Sequence, residues 1–221
     1  MLVPHSYYFF PDAIPKHLCD DIVKYGLQLK DQMAQTGGFG YPISGIYEGK
    51  KNVELDKQQI KDLKKKRNSN IVWIERAQWI YKELHPYIHQ ANKQAGWNFQ
   101  WDYSEACQFT KYNKGQYYGW HCDGWNEPYN QPDNKNNHGK IRKLSVTLSL
   151  SEYGKDYKGG ELEFDCRNRD PDKKRNLATC KQIRSKGSMV VFPSFLWHRI
   201  KPVTKGTRYS LVIWNIGWPF K

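Results

Sequence analysis

Gly115-Gln116-Tyr117-Tyr118-Gly119-Trp120-His121-Cys122-Asp123 is an aromatic run broken by glycine and closed by a histidine and an aspartate. Aromatic residues favour extended backbone, and along a strand residues i and i+2 point to the same face. His121 and Asp123 therefore share a face, while Cys122 turns away as a small core residue. The same period of two recurs from Trp101 onward, with strands expected near 101–112, 117–123, 142–150, 160–165, 188–193, 197–201 and 207–217. Polar loops separate them at Trp125 to Lys140 and at Arg167 to Lys181.

Upstream the period is helical. Leu18, Ile22, Tyr25, Leu29 and Met33 predict an amphipathic helix stopped by Gly37-Gly38. A loop-rich stretch follows, through Gly49 and the lysine-rich Lys61 to Arg67. Ala77, Ile80, Leu84, Ile88 and Ala91 predict a second helix over about Glu75 to Ala95, kinked or divided at Pro86 and stopped by Gly96. Helices followed by many short strands with glycine turns make the fold class α+β, mostly β. The expected core is an antiparallel double-stranded β-helix, or jelly roll, with the N-terminal helices on one side. No Ser/Pro-rich linker or repeat divides the 221 residues. One domain is expected over 1–221, with a helical and loop part at about 1–100 and the jelly roll at about 101–221.

A third donor completes the pair. His198 follows the apolar run Met189-Val190-Val191-Phe192-Pro193, which reads as a buried strand. Two histidines and one carboxylate form the facial triad that holds mononuclear Fe(II) and leaves coordination positions open for a co-substrate and dioxygen. A His-x-Asp pair alone carries little weight, since roughly one match is expected by chance in a chain of this composition. Its position at the close of one strand, with the third donor opening another, is what gives it meaning. Arg208 lies within an apolar, aromatic run, expected to return beside His198 as a hairpin. Burial there demands an anionic partner, and a dicarboxylate would fit its fork.

The net charge of +13 suits an acidic partner or nucleic acid, though solvated lysine-rich loops account for it equally well. Five cysteines without a Cys-x-x-Cys pair argue for free thiols, with Cys166 and Cys180 as the one pair that could meet across a loop. The N-terminus lacks a basic start and an apolar core, and no run is long enough to span a bilayer, so a soluble, cytoplasmic protein without membrane attachment is expected.

These residues resemble the catalytic domain of prolyl 4-hydroxylases, within the Fe(II)/2-oxoglutarate dioxygenase superfamily. The resemblance is carried by Leu18 to Val23, Arg67-Asn68-Ser69, Glu105, Tyr112, Gly115, Tyr118, His121, Asp123, Arg142, Gly159-Gly160-Glu161, and His198 through Lys201-Pro202-Val203, Gly206, Arg208 and Trp214. It implies that His121, Asp123 and His198 hold Fe(II). It also implies that 2-oxoglutarate is bound through Arg208 and Tyr112, that O2 is consumed and that ascorbate serves as reductant. Glu105, Arg142 and Trp214 are implied to contact a proline-containing peptide or protein substrate, with Tyr118 beside the metal. Many prolyl 4-hydroxylases carry lysine where Arg208 stands, a departure that bears on the subfamily. Four alternatives remain open: the same chemistry on a free amino acid, the same chemistry on a nucleobase, a non-catalytic metal-binding or interaction module on a barrel scaffold, and a cupin-like zinc or manganese protein, since the triad does not by itself fix the metal.

Overall fold

The computed structural model describes residues 4–30, 32–34, 57–75, 77–124, 127–166, 174 and 176–220. Three α-helices are described, α1 (Lys16–Gln28), α2 (Lys57–Lys66) and α3 (Gln78–Gln94), with a 3-10 turn at Lys181–Ile183. Fifteen strands accompany them. Early in the chain lie β1 (Tyr8–Phe10), β2 (Gln32–Met33), β3 (Arg67–Asn68), β4 (Asn70–Ile74) and β5 (Tyr103–Ser104). The middle holds β6 (Cys107–Tyr112), β7 (Tyr117–His121), β8 (Ile141–Ser149), β9 (Tyr157–Gly159) and β10 (Leu162–Asp165). The chain ends through β11 (Leu177–Thr179), β12 (Met189–Pro193), β13 (His198–Ile200), β14 (Val203–Gly206) and β15 (Arg208–Gly217).

A major sheet runs β1-β12-β8-β15-β6-β4-β2, with β5 also paired to β15, and a minor sheet runs β11-β10-β13-β7-β3. Every ladder is antiparallel. The two sheets form the expected jelly roll.

Strand alternation gives the major sheet two unlike faces. Its outer face (Phe109, Leu144, Val146, Leu148, Met189, Val191, Leu211, Ile213) packs with Cys19 and Ile22 of α1 and Ile80, Leu84, Ile88 and Ala91 of α3. Gly26 lets α1 approach closely, because a Cβ there would come within 2.7 Å of the Phe109 ring. The inner face meets the minor sheet around Tyr112, Leu162, Phe164, Val190, Phe192 and Ile200.

Several expectations are corrected. The first helix ends at Gln28, with Leu29 already extended (ψ 149), and Met33 pairs with Asn70 in β2. The apolar spacing misled there because Tyr25 and Leu29 lie on the exposed side. Gly37-Gly38 lies outside the described residues. The stretch read as loop up to Arg67 contains α2, and β3 and β4 follow it, so the first hundred residues supply strands to both sheets. Whereas α1 and α3 back the major sheet, α2 lies against β3 and β7 of the minor one. Helix α3 continues through Pro86 undivided. Pro86 is exposed, so the carbonyl it leaves unbonded can be hydrated while the apolar stripe stays packed. The span predicted as one strand over 101–112 is broken between β5 and β6. The segment 202–206, left between the expected strands, contains β14, paired with β9, and the loop after Arg167 contains β11.

All five cysteines are free. Cys166 and Cys180 bond to opposite ends of the β10–β11 pair, through Asn176 and Leu162 respectively, and so do not meet. No helix among the described residues is long and apolar enough to cross a membrane.

Candidate metal and co-substrate site

His121 closes β7 and pairs directly with His198 at the start of β13. Between that pair and Ile200↔Tyr118 the register slips, because β7 carries one residue more than β13. The bulge brings Tyr118 and His121, three apart in sequence, onto one face. Their rings stack at 3.4 Å between centroids and 11° between planes. Gly119 permits this, since a Cβ there would lie 3.0 Å from the Lys66 carbonyl oxygen.

Asp123 lies just past the end of β7. Its N–H and that of Gly124 both donate to the Ser194 carbonyl at 2.9 Å. A Cβ on Gly124 would come 2.7 Å from the Arg142 carbonyl oxygen, so this corner is closed to larger residues. Cys122 points away and donates its thiol to the Phe195 carbonyl at 3.2 Å.

The three side chains converge. Asp123 Oδ1 is 3.6 Å from His121 Nε2, Asp123 Oδ2 is 3.5 Å from His198 Nε2, and all donor atoms lie within 4.8 Å of one another. These separations exceed ordinary hydrogen bonds but suit donors sharing one ion at about 2.0–2.2 Å each. His121 Nδ1–H donates to the Gly119 carbonyl at 2.8 Å, and His198 Nδ1–H to that of Leu196 at 2.9 Å. A carbonyl can only accept, so both rings carry the proton on Nδ1 and present the Nε2 lone pair inward. Burial and the neighbouring His121 push His198 down to about 4 against the opposing Asp123, which keeps it a neutral ligand. Burial alone would raise the Asp123 carboxyl, yet the imidazoles of His198 and His121, with Arg142, hold it well below the usual carboxylate range. Burial also pushes the Tyr118 hydroxyl up to about 12, so it stays protonated.

Arg208 opens β15 and is only 2% exposed. Its register partner is Tyr112, whose ring centre lies 5.5 Å from the guanidinium carbon. One nitrogen donates to Ser210 Oγ at 3.1 Å, whereas Nε is buried without an acceptor. Gly160 (φ +65) makes room: a Cβ there would lie 3.1 Å from Arg208 Cδ. No acidic side chain among the described residues pairs with this cation, so a permanent buried charge awaits an anion. The expected hairpin between His198 and Arg208 does not form. β13 belongs to the minor sheet and β15 to the major one, which places the histidine and the arginine on facing walls of the barrel.

Glu105 and Arg142 form a bidentate pair at 2.8 and 2.6 Å, and Tyr129 donates its hydroxyl to the same carboxylate at 2.8 Å. Glu105 is 2% exposed. Arg142 also stacks over Trp214 at 3.8 Å and donates to the Asp123 carbonyl at 3.4 Å. A second bulge puts it there, because β8 carries Lys143 as an extra residue opposite the step from Asn215 to Ile216. Under strict alternation Lys143, rather than Arg142, would face inward with Ser145. The Trp214 indole N–H is buried without an acceptor.

One residue quoted in the sequence only as part of a motif stands within the site. Arg67, 5% exposed, lies over the Tyr118 ring at 4.3 Å and donates to Ser69 Oγ and Gln108 Oε1. The Arg-x-Ser spacing was the available signal. Its proximity to Tyr118 comes from the β3–β7 ladder, which pairs Arg67 with Tyr118 across sequence-distant strands.

Residues 107–215 match the model of the 2OG-Fe(II) oxygenase superfamily. A PKHD-type hydroxylase of Pseudoalteromonas atlantica is 34% identical over 108 residues, covering 48% of this chain and 41% of that protein. One of Synechococcus sp. strain CC9902 is 36% identical over 101 residues, covering 45% and 36%. The chain thus spans about two fifths of the length of these curated relatives. Among solved structures, a prolyl hydroxylase of Trichoplax adhaerens in complex with a hypoxia inducible factor peptide fragment has the same fold. Its TM-score is 0.62 at 17% identity, covering 95% of this chain and 83% of that one. A viral collagen prolyl hydroxylase of Paramecium Bursaria Chlorella virus-1, in complex with 2OG, gives 0.59 at 16% identity, covering 96% and 97%.

Proposed function

As the chain belongs to the 2OG-Fe(II) oxygenase superfamily, we propose that it is a 2-oxoglutarate- and O2-dependent hydroxylase acting on prolyl residues of a peptide or protein and releasing succinate and CO2. The observation that carries this is a converging His121–Asp123–His198 set in the same interior as the buried Arg208, which meets no acidic side chain among the described residues and whose Nε lacks an acceptor. A metal-binding module alone has no use for a buried cation that costs stability when empty.

Fe(II) with 2-oxoglutarate supplies the oxidising chemistry when bound, and ascorbate is the reductant expected to restore the metal. The protein's own contribution is positioning. His121, Asp123 and His198 supply the metal donors. Arg208, with its buried Nε–H, and the neighbouring Tyr112 would hold the distal carboxylate of the co-substrate. Glu105 and Tyr129 fix Arg142, whose bond to the Asp123 backbone steadies the carboxylate ligand. Trp214 and Arg142 face the substrate side, and the free indole N–H is a donor for a substrate carbonyl. The apolar lining from Phe164 and Phe192 around His198 keeps water from the reacting centre. The two solved structures of the same fold are prolyl hydroxylases, which supports the prolyl reading over a nucleobase.

The experiment is succinate release with Fe(II), 2-oxoglutarate and oxygen, comparing no substrate, proline-rich peptides and single-stranded oligonucleotides, with His198→Ala as control. Release stimulated by the peptides alone is expected. Stimulation by the oligonucleotides alone would transfer the assignment to nucleobase oxidation, and no release above the control would remove the oxygenase reading.

A further inference from the structure

We infer that Arg67 is a receptor for a carboxylate on the substrate, so that the residue presented for hydroxylation lies beside an acidic group. The inference rests on the hydroxylase reading above and narrows its substrate class.

Arginine keeps its charge at any accessible pH, and a buried guanidinium is costly unless an anion compensates it. Arg67 is 5% exposed, yet its hydrogen-bond partners, Ser69 Oγ at 2.9 Å and Gln108 Oε1 at 2.6 Å, are both neutral. No acidic side chain among the described residues pairs with it. Arg142 makes the contrast, since Glu105 takes two of its nitrogens. Ser69 and Gln108 engage Nε and one terminal nitrogen of Arg67, which leaves the other terminal nitrogen available to a ligand.

The position is a reactive one. Arg67 lies over one ring, Tyr118, that itself stacks on the proposed metal ligand His121. The co-substrate cannot serve this cation. On the hydroxylase reading its keto-acid end would be held at the metal and its distal carboxylate at Arg208, so both of its charges would be committed. Charge balance says the same. Fe(II) with Asp123 carries one positive charge, Arg208 a second and Arg67 a third, while 2-oxoglutarate returns two negative ones. The Arg142–Glu105 pair is already neutral. One positive charge is left, and it sits at Arg67. A carboxylate on the substrate, from an acidic side chain or a chain terminus, would complete the balance through a charge-assisted bond.

The test uses the protein loaded with Mn(II) and 2-oxoglutarate without oxygen, and calorimetric titration with short proline-containing peptides in matched pairs. One pair carries aspartate or asparagine next to the proline. The other ends in proline as the free acid or as the amide. The wild type is expected to bind the acidic member of at least one pair about tenfold more tightly, and the responsive pair identifies the source of the carboxylate. Arg67→Gln should bring the responsive pair to equal affinity, and Arg67→Lys should retain part of the preference. Equal binding of both pairs by the wild type overturns the inference, and so does an undiminished preference in Arg67→Gln. Should Arg67→Gln fail to fold, the wild-type preference and its reduction in Arg67→Lys still decide the matter. Failure of Mn(II) and 2-oxoglutarate to bind would count against the hydroxylase reading instead, and the same peptide pairs on the metal-free protein would continue to test Arg67.

Discussion

The two faces of the major sheet are made from the same strands and differ completely in chemistry. Along β15, Leu211 and Ile213 enter the core under the helices, whereas Arg208, Ser210 and Trp214 face the minor sheet. Along β8, Leu144, Val146 and Leu148 alternate with Ser145, Thr147 and Ser149, and along β6 Phe109 alternates with Gln108 and Thr110. Both faces are buried. The outer one gains stability from apolar contact, while the inner one holds polar groups and a buried cation, Arg208, that meets no acidic side chain among the described residues. Stability and chemistry are thus separated by the pleat of one sheet, a few ångströms apart.

That division can be broken most severely at the metal donors. His198→Ala or Asp123→Ala should bring turnover to background and abolish metal binding, checked by succinate release and Mn(II) titration. On the opposite face, Phe109→Ala should cost about 3–5 kcal/mol, read from denaturant unfolding, because it leaves a cavity between α1 and β6. Substitution of Arg208 sharpens the contrast. Arg208→Met should raise the melting temperature of the ligand-free protein while removing the 2-oxoglutarate-dependent stabilisation seen in the wild type, since a buried uncompensated charge is replaced by an apolar chain. A destabilised Arg208→Met would show that the inner face contributes more to stability than its chemistry suggests. Glu105→Gln, which weakens the hold on Arg142 without touching a metal donor, should lower turnover by about 10- to 100-fold.

The smallest expected effect is on pH dependence. His198 titrates at about 4 in the folded protein and near 6.5 when unfolded, so below 6.5 the unfolded chain binds the additional proton. Stability of the metal-free protein should therefore fall as pH drops from 6.5 toward 4. His198→Gln should flatten that segment of the profile, and an unchanged slope would place the pH sensitivity elsewhere.

Much of the site was legible because it follows short-range rules. His121 and Asp123 share a face, and Cys122 turns from it, by alternation alone. The burial of Arg208 followed from its apolar neighbours. What misled was the assumption of regular strands and a simple hairpin. Tyr118 joins His121 through a bulge in β7, and Arg142 faces inward only because Lys143 is extra in β8. Neither bulge leaves a periodic signal. The strands β3 and β4 were missed because they lie beside the lysine-rich helix, where composition points to a solvated surface.

The sequence by itself determined the secondary-structure class, the apolar faces and the set of candidate donor residues, since these depend on side-chain type and on spacing within one element. Only the tertiary structure decided that β13 and β15 lie in opposite sheets, that Glu105 neutralises Arg142, and that Arg67 beside Tyr118 meets only neutral hydrogen-bond partners among the described residues. Those outcomes depend on which distant strands pair and in what register. That choice is settled by burying one continuous core, not by any local preference of the chain.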